Sequence, residues 1–221
     1  MLRILLADDH ALVRRGLEMV LRLEPDFELV GSVANGADAI RLARECRPDL
    51  AVLDLKMPRV DGIAATREIK RISPQTRIIL LTGIDAGSEI AHAVEAGADG
   101  YVLKEVEPQE LIHAIRTIAA GEAYLQPAVT KQLLTQLRGA GAPHPAPPHT
   151  AAAPPPPLTP REMEILQLMA TSATNREIAE QLVISEETVR KHTKNILAKL
   201  DQPNRTQAVL YALRQGLIQL T

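Results

Sequence analysis

Three aspartates stand where aliphatic runs end. Asp8 and Asp9 follow the run RILLA (3–7), and Asp54 closes LAVLD (50–54). Two more polar residues close similar runs: Thr82 ends RIILLT (77–82) and Lys104 ends GYVLK (100–104). Carboxylates gathered without a cation repel one another. Hard oxygen donors of this kind suit Mg²⁺, which keeps part of its water and accepts a phosphate oxygen. An aspartate carboxylate can also attack phosphorus and form an aspartyl phosphate. A metal ion and a lysine then stabilise the charge on the transferring group. A carboxylate at a strand end is also an ordinary helix cap, so Asp8 or Asp9 alone decides nothing. The combination of Asp8, Asp9, Asp54, Thr82 and Lys104, all at the same end of different or adjacent strands, argues for a site.

The elements that must position these residues are short. Strands are expected at 3–7, 28–33 (ELVGSV), 50–54, 77–82 and 100–104, with helices near 10–23, 36–46, 62–72, 87–96 and 108–120. Strands of nearly unbroken Ile, Leu and Val suit a parallel sheet covered on both faces. Five βα units in succession read as a doubly wound α/β domain with a five-stranded parallel sheet. Ligands of such sheets sit beyond the carboxyl ends of the strands, where the five polar residues lie.

The motifs DDH (8–10), DLKMP (54–58), DG (61–62), TG (82–83) and YVLK (101–104) resemble the receiver domain of two-component response regulators, over residues 2 to about 122. The resemblance implies a flavodoxin-like fold with Asp54 as phosphoacceptor. It implies Mg²⁺ held by Asp9, Asp54 and the backbone carbonyl of Lys56, with Asp8 acting mainly through metal-bound water. Thr82 and Lys104 would contact the phosphoryl group, and Tyr101 matches the aromatic switch position. The bland alternative for Tyr101 is a partly exposed aromatic on strand five. Glu105 departs from the pattern, since proline is frequent after the lysine, and the Lys104–Glu105 peptide is often cis in this family.

Proline marks the domain boundary. Eight of the 16 prolines lie in 143–157, and residues 139–157 hold no charged and no large apolar side chain. With nothing to bury, this stretch is expected to be an extended linker. At ~3.1 Å per residue in polyproline form it spans up to ~60 Å and fixes no orientation. A short helix is expected just before it, over 127–139. The expected organisation is a phosphoacceptor domain over 1–124, a linker over 125–157 and a second domain over 158–221.

That second domain reads as four helices. TPRE (159–162) and TNRE (174–177) are capping boxes, Ser185 precedes two glutamates, and Asn204 with Gln207 starts the last helix. The tight SEE turn suggests helix-turn-helix. On a wheel of the helix over 186–200, Val189, Thr193, Ile196 and Leu200 form the buried stripe. Arg190, Lys191 and Lys194 share a different face. A buried stripe with an exposed basic face is what major-groove insertion requires, although periodicity alone allows an ordinary solvated face. No aromatic residues interleave the basic ones, which disfavours a single-strand stacking platform. LTPREMEIL, TNREIAEQL, ISEETVRKHTKNILAKL and NRTQAVLYAL resemble the LuxR-type DNA-binding domain, and its combination with a receiver resembles the NarL/FixJ class. This implies DNA-facing Arg190, Lys191 and Lys194, with Thr188 and Asn195 reaching the backbone or groove. Ser172 and Asp201 stand where that family commonly has glycine.

Charge and composition bound the alternatives. The 221 residues carry a net charge of −2 and 46 % apolar residues. The balance is uneven: −5 over 1–124, +2 over 125–157 and +1 over 158–221. The lone cysteine, Cys46, allows no intrachain disulfide and fits a reducing compartment. No apolar run approaches the ~18 residues of a membrane span, and Asp8 and Asp9 interrupt the first stretch too early for a signal peptide. The six histidines (10, 92, 113, 144, 149 and 192) show no metal-ligand spacing. The expected protein is a cytoplasmic transcription regulator without an enzymatic site. Its partners are a sensor histidine kinase and double-stranded DNA, with a homodimer formed when it is phosphorylated or on DNA. A regulator that keeps the receiver only for dimerisation is the nearest alternative. An aspartyl-phosphate phosphatase or transferase is a more distant one: it needs a substrate-binding cap or a second acid two residues after the nucleophile, and Lys56 stands at the latter position.

Overall fold

The computed structural model describes residues 1–83, 87–122, 124–125, 157–171 and 173–218. The expected helix over 127–139, the proline-rich stretch to residue 156 and the turn at Ser172 lie outside the described residues. The chain divides into two compact units, Met1–Leu133 and Leu134–Thr221, and the division falls inside the expected linker.

In the first unit, strands and helices alternate: β1 (Leu2–Ala7), α1 (Ala11–Leu23), β2 (Phe27–Val33), α2 (Gly36–Cys46), β3 (Leu50–Asp54), α3 (Gly62–Ile72), β4 (Arg77–Thr82), α4 (Gly87–Glu95), β5 (Gly100–Leu103) and α5 (Pro108–Ala119). Each of the five strands and five helices expected over 3–120 is present, with ends within one residue of expectation. The five strands are parallel, in the order β2-β1-β3-β4-β5, and a two-residue strand β6 (Tyr124–Leu125) extends them beside β5. A strand this short has no periodicity to read. Gly100 admits it: a side chain there would collide with Ile118 and lie 3.0 Å from the Tyr124 carbonyl oxygen. Every described peptide bond is trans, the Lys104–Glu105 bond included.

The sheet is buried on both faces, which is why its strands read as unbroken aliphatic runs. Ile4, Leu6, Leu50, Val52, Ile79, Leu81 and Val102 pack with Leu21 of α1 and Leu111, Ile115 and Ile118 of α5. Alternate residues such as Leu5, Leu53, Leu80 and Tyr101 are equally buried and must face the other way. Strand order reverses between β1 and β3, which opens a crevice at their carboxyl ends.

The second unit has four helices: α6 (Pro160–Ala170), α7 (Asn175–Leu182), α8 (Glu186–Leu200) and α9 (Arg205–Arg214). All four expected caps form. Thr159 and Thr174 each close a reciprocal capping box, Ser185 accepts from the Thr188 N–H, and Asn204 accepts from the Gln207 N–H. Ile165, Leu166, Met169, Ile178, Val189, Ile196 and Val209 make one core. The turn between α7 and α8 starts at Val183, which is left-handed at φ 53° and 90 % exposed. Asp201 is left-handed as well, at φ 52°, after α8.

Candidate functional site

Parallel register assembles the crevice. Ala7 pairs with Leu53, so Asp8 stands level with Asp54. Asp54 pairs with Leu81, one residue before Thr82, and Thr82 pairs with Leu103, one residue before Lys104. The Lys104 N–H donates to the Thr82 carbonyl oxygen at 2.8 Å. Four neighbouring strands therefore end on polar residues along one edge.

Asp8, Asp9, Asp54 and Lys104 converge there. Lys104 Nζ lies 2.6 Å from Asp54 Oδ2 and 2.9 Å from Asp8 Oδ2. Asp8 and Asp54 are buried, whereas the Asp9 side chain is 31 % exposed. Burial pushes the Asp54 carboxyl above its ordinary range, and the Asp8 charge adds to this; Lys104 and the Lys56 N–H pull it back without cancelling the rise. Burial would lower the Lys104 ammonium, but the Asp54 and Asp8 carboxylates hold it above its usual value. The Lys56 N–H donates to Asp54 Oδ1 at 3.1 Å, and the Lys56 side chain reaches Glu89 at 3.6 Å. Asp9, Lys56, Met57, Asp61 and Glu89 line an open cleft beside the crevice.

The DG pair at 61–62 holds the Asp54 backbone in place in two ways. A side chain at Gly62 would run into the Asp54 carbonyl oxygen and lie 2.9 Å from Leu55 Cα. The preceding Asp61 caps α3 by accepting from the Ala64 N–H at 2.7 Å. The DG pair thus starts a helix hard against the backbone of β3.

The donor set fits a divalent cation. Asp8, Asp9 and Asp54 each offer a carboxylate oxygen within 4.8 Å of the others, and Lys104 Nζ, 2.9 Å from Asp8 Oδ2 and 2.6 Å from Asp54 Oδ2, supplies one positive charge against the three carboxylates. Asp8, Asp9 and Asp54 would hold such an ion, and it would supply positive charge for a phosphoryl oxygen. Thr82 is buried, with its hydroxyl donating to the Gly83 carbonyl oxygen at 3.1 Å. Tyr101 stands apart from the crevice, inside the sheet opposite Leu80. It is 1 % exposed, its hydroxyl has no partner among the described residues, and burial pushes that hydroxyl well above its usual range. The partly exposed aromatic is therefore corrected to a buried one. The histidines show no metal-ligand spacing in the sequence, yet the fold brings one of them to the crevice. His10 Nδ1 lies 2.7 Å from Asp9 Oδ1, because the fold turns the residue after the two aspartates into the same crevice. The DDH run was the available signal, although its spacing follows no metal-binding pattern.

In the second unit α8 divides as its wheel implies. Val189, Thr193, Ile196 and Leu200 are buried; Arg190, Lys191, Lys194 and Asn195 are exposed. Arg190 lies 3.6 Å from Glu186, one turn earlier. Thr188 is half-buried, its hydroxyl 2.8 Å from the Ser185 hydroxyl at the cap. Lys199, in the last turn of α8, is paired elsewhere: its Nζ is 2.7 Å from Glu162 Oε2 at the start of α6. In α9, Val209 and Leu210 are buried, with Tyr211 and Leu213 half-buried.

Comparison with known proteins agrees with both units. The family described as response regulator receiver domain matches residues 4–116, and bacterial regulatory proteins of the luxR family match 156–212. The transcriptional regulatory protein LiaR of Bacillus subtilis (strain 168) is 42 % identical over 218 residues, covering 99 % of this chain and 100 % of LiaR. The transcriptional regulatory protein DegU of Brevibacillus brevis is 36 % identical over 233 residues, covering 99 % and 96 %. Among solved structures, the response regulator ChrA of a heme-sensing two-component system is 34 % identical, with a TM-score of 0.54 and 98 % of each chain covered. The acidic crevice at the β1/β3 switch point, the basic face of α8 and these full-length similarities lead to one assignment: the chain belongs to the two-component response regulators that join a receiver to a LuxR-type DNA-binding domain.

Proposed function

We propose that Asp54 accepts a phosphoryl group from a sensor histidine kinase and that the acyl phosphate controls binding of the second unit to double-stranded DNA. The observation that carries this reading is the buried Asp54 carboxylate with Lys104 Nζ at 2.6 Å. That lysine offers a fixed positive charge at the point where phosphoryl charge arrives. Mg²⁺ at Asp9, Asp54 and the Lys56 carbonyl, with Asp8 acting through metal-bound water, supplies the complementary charge. Thr82 and Lys104 contact the phosphoryl oxygens, and Tyr101 reports the change within the sheet. Arg190, Lys191 and Lys194 face DNA, flanked by Thr188 and Asn195.

The functional domains are 1–124 and 158–221, joined by a linker over 125–157. The protein acts as a regulator, with no enzymatic role of its own, in the cytoplasm, where kinase and DNA are both reached. Phosphorylation favours a homodimer on DNA. Incubation with acetyl phosphate and Mg²⁺, read by intact mass, tests the acceptor. The wild type gains one phosphoryl group and Asp54→Asn gains none; incorporation into Asp54→Asn overturns the assignment.

A further inference from the structure

The face of α8 that carries Arg190, Lys191 and Lys194 also carries an acid. At ~100° per residue, Glu187 lies inside the arc of about 100° that these cations span, roughly 150° from the centre of the buried stripe. Glu187 is exposed, and no hydrogen bond or ion pair engages its carboxylate among the described residues. Its neighbour Glu186 is engaged. The Glu186 carboxylate lies 3.6 Å from Arg190. The Arg176 guanidinium of α7 is held above its usual range by Glu180 first and by Glu186 as well.

An acid in the first turn of a helix is ordinarily explained by the helix dipole. Glu186 already fills that role at the edge of the face. Glu187 sits in the middle of the side that DNA would approach. A carboxylate there opposes attraction to phosphates, in a unit whose net charge is only +1. What offsets that cost must be a donor on the DNA itself. In the major groove, an acceptor-only group finds a donor at cytosine N4 or adenine N6. The adenine amino group sits beside N7, an acceptor that repels a carboxylate, whereas cytosine presents its amino group alone. Guanine and thymine offer only acceptors and a methyl group there, so either one leaves the carboxylate desolvated and unpaired.

The position along the helix agrees. Recognition helices meet base edges with their N-terminal residues, and Glu187 is the second residue of α8. Lys191, one turn on, lies ~6 Å further along the axis at ~1.5 Å per residue, about two base-pair steps of ~3.4 Å.

We propose that Glu187 accepts a hydrogen bond from the amino group of a cytosine in the major groove, so that each half-site carries a cytosine one or two base pairs from the pair met by Lys191. The proposal deepens the DNA-binding reading above and rests on α8 being the helix that enters the groove. Glu187 then sets specificity at the expense of general affinity.

The test uses the full-length protein treated with acetyl phosphate and Mg²⁺. It selects sites from a double-stranded library of random sequence, and the selected site and its single-base variants are titrated at fixed salt. The wild type is expected to select cytosine at one position of each half-site. Glu187→Ala should lose about ten-fold discrimination at that position alone, while binding the variant sites more tightly than the wild type does. Glu187→Gln should move the preference there to adenine, because a carboxamide pairs with both N6 and N7. Circular dichroism checks that each variant is folded. No cytosine selected by the wild type, a cytosine preference that persists in Glu187→Ala, or a loss spread evenly over all sequences overturns the proposal and leaves Glu187 to the helix dipole. Site selection and affinity unchanged in both Arg190→Ala and Lys194→Ala overturn the assignment of α8 as the DNA-reading helix, and the proposal with it.

Discussion

At the scale of single residues, the crevice depends as much on a missing side chain as on the charged ones. Gly62 lies against backbone atoms of Asp54 and Leu55, which cannot rotate aside as a flexible side chain would. Gly62→Ala therefore forces β3 and α3 apart. Overpacking of this kind costs about 1–3 kcal/mol, and here the displaced atoms belong to Asp54, the proposed phosphoacceptor. The expected outcome is a lower urea midpoint together with slower phosphorylation by acetyl phosphate. A variant that loses stability but phosphorylates at the wild-type rate would show that Asp54 is positioned independently of α3. Lys104 has a comparable dual position, since it is the cation closest to both buried carboxylates among the described residues. Lys104→Ala removes that charge, so the carboxylates should bind Mg²⁺ more tightly than in the wild type, as read by calorimetry, while the phosphoryl group loses a contact. Weaker Mg²⁺ binding in the variant would mean that Lys104 organises the carboxylates rather than competing for them.

At the scale of elements, the second unit shows what pattern reading can and cannot reach. Its four helix starts were legible because N-caps are local chemistry: a Thr, Ser or Asn oxygen meets an N–H three residues on. The five main strands were legible because a two-sided sheet leaves continuous Ile, Leu and Val. Strand β6 was not, because two residues carry no period. Neither was the partner of Lys199, nor His10 at the acidic crevice, since both meet their partners only through tertiary folding. The left-handed turn at Val183 was missed for another reason: β-branched residues disfavour positive φ, so its type argued against the conformation it adopts. Left-handed geometry costs a non-glycine residue roughly 1–2 kcal/mol, and Val183 is too exposed to recover that through burial. Val183→Gly should therefore raise the thermal midpoint of the second unit; an unchanged or lower midpoint would show that the side chain contributes elsewhere.

The Glu162–Lys199 pair ties the start of α6 to the end of the recognition helix α8. Burial alone would raise the Glu162 carboxyl, but Lys199 and the Thr159 donors outweigh it and hold the group below its ordinary value near 4.5. A carboxyl lowered by folding stabilises the fold fully above its unfolded value. That stabilisation is lost as pH falls through the lower folded value. Acid below about pH 4.5 should thus weaken the second unit, and Glu162→Gln should flatten that dependence while costing about 1–3 kcal/mol at neutral pH. Equal acid sensitivity in wild type and variant would assign the effect to other carboxylates.

At the scale of the whole molecule, the weak charge of the DNA-binding unit sets a requirement. Residues 158–221 carry a net charge of only +1, and three exposed cations, Arg190, Lys191 and Lys194, lie on the face of α8 turned from its core. If each neutralises one phosphate, a single unit gives a log–log salt slope of about −2.7. Such a contact set binds poorly at physiological salt, so useful affinity calls for two units on paired half-sites. The pair should show a slope of roughly −5, and Lys194→Ala should reduce its magnitude by about 2, one contact per protomer. If Lys194 reads a base instead, discrimination at one position of each half-site should fall by about 1–3 kcal/mol. A linker of the kind expected over 125–157 would fix no orientation, so on the proposed reading paired receivers would raise the local concentration of the DNA-binding units rather than aim them. Titrations of the phosphorylated full chain over a range of salt, with footprinting at saturation, measure both quantities. A footprint limited to one half-site, with a slope near −2.7, would show that one unit suffices and would remove dimerisation from the account of DNA binding.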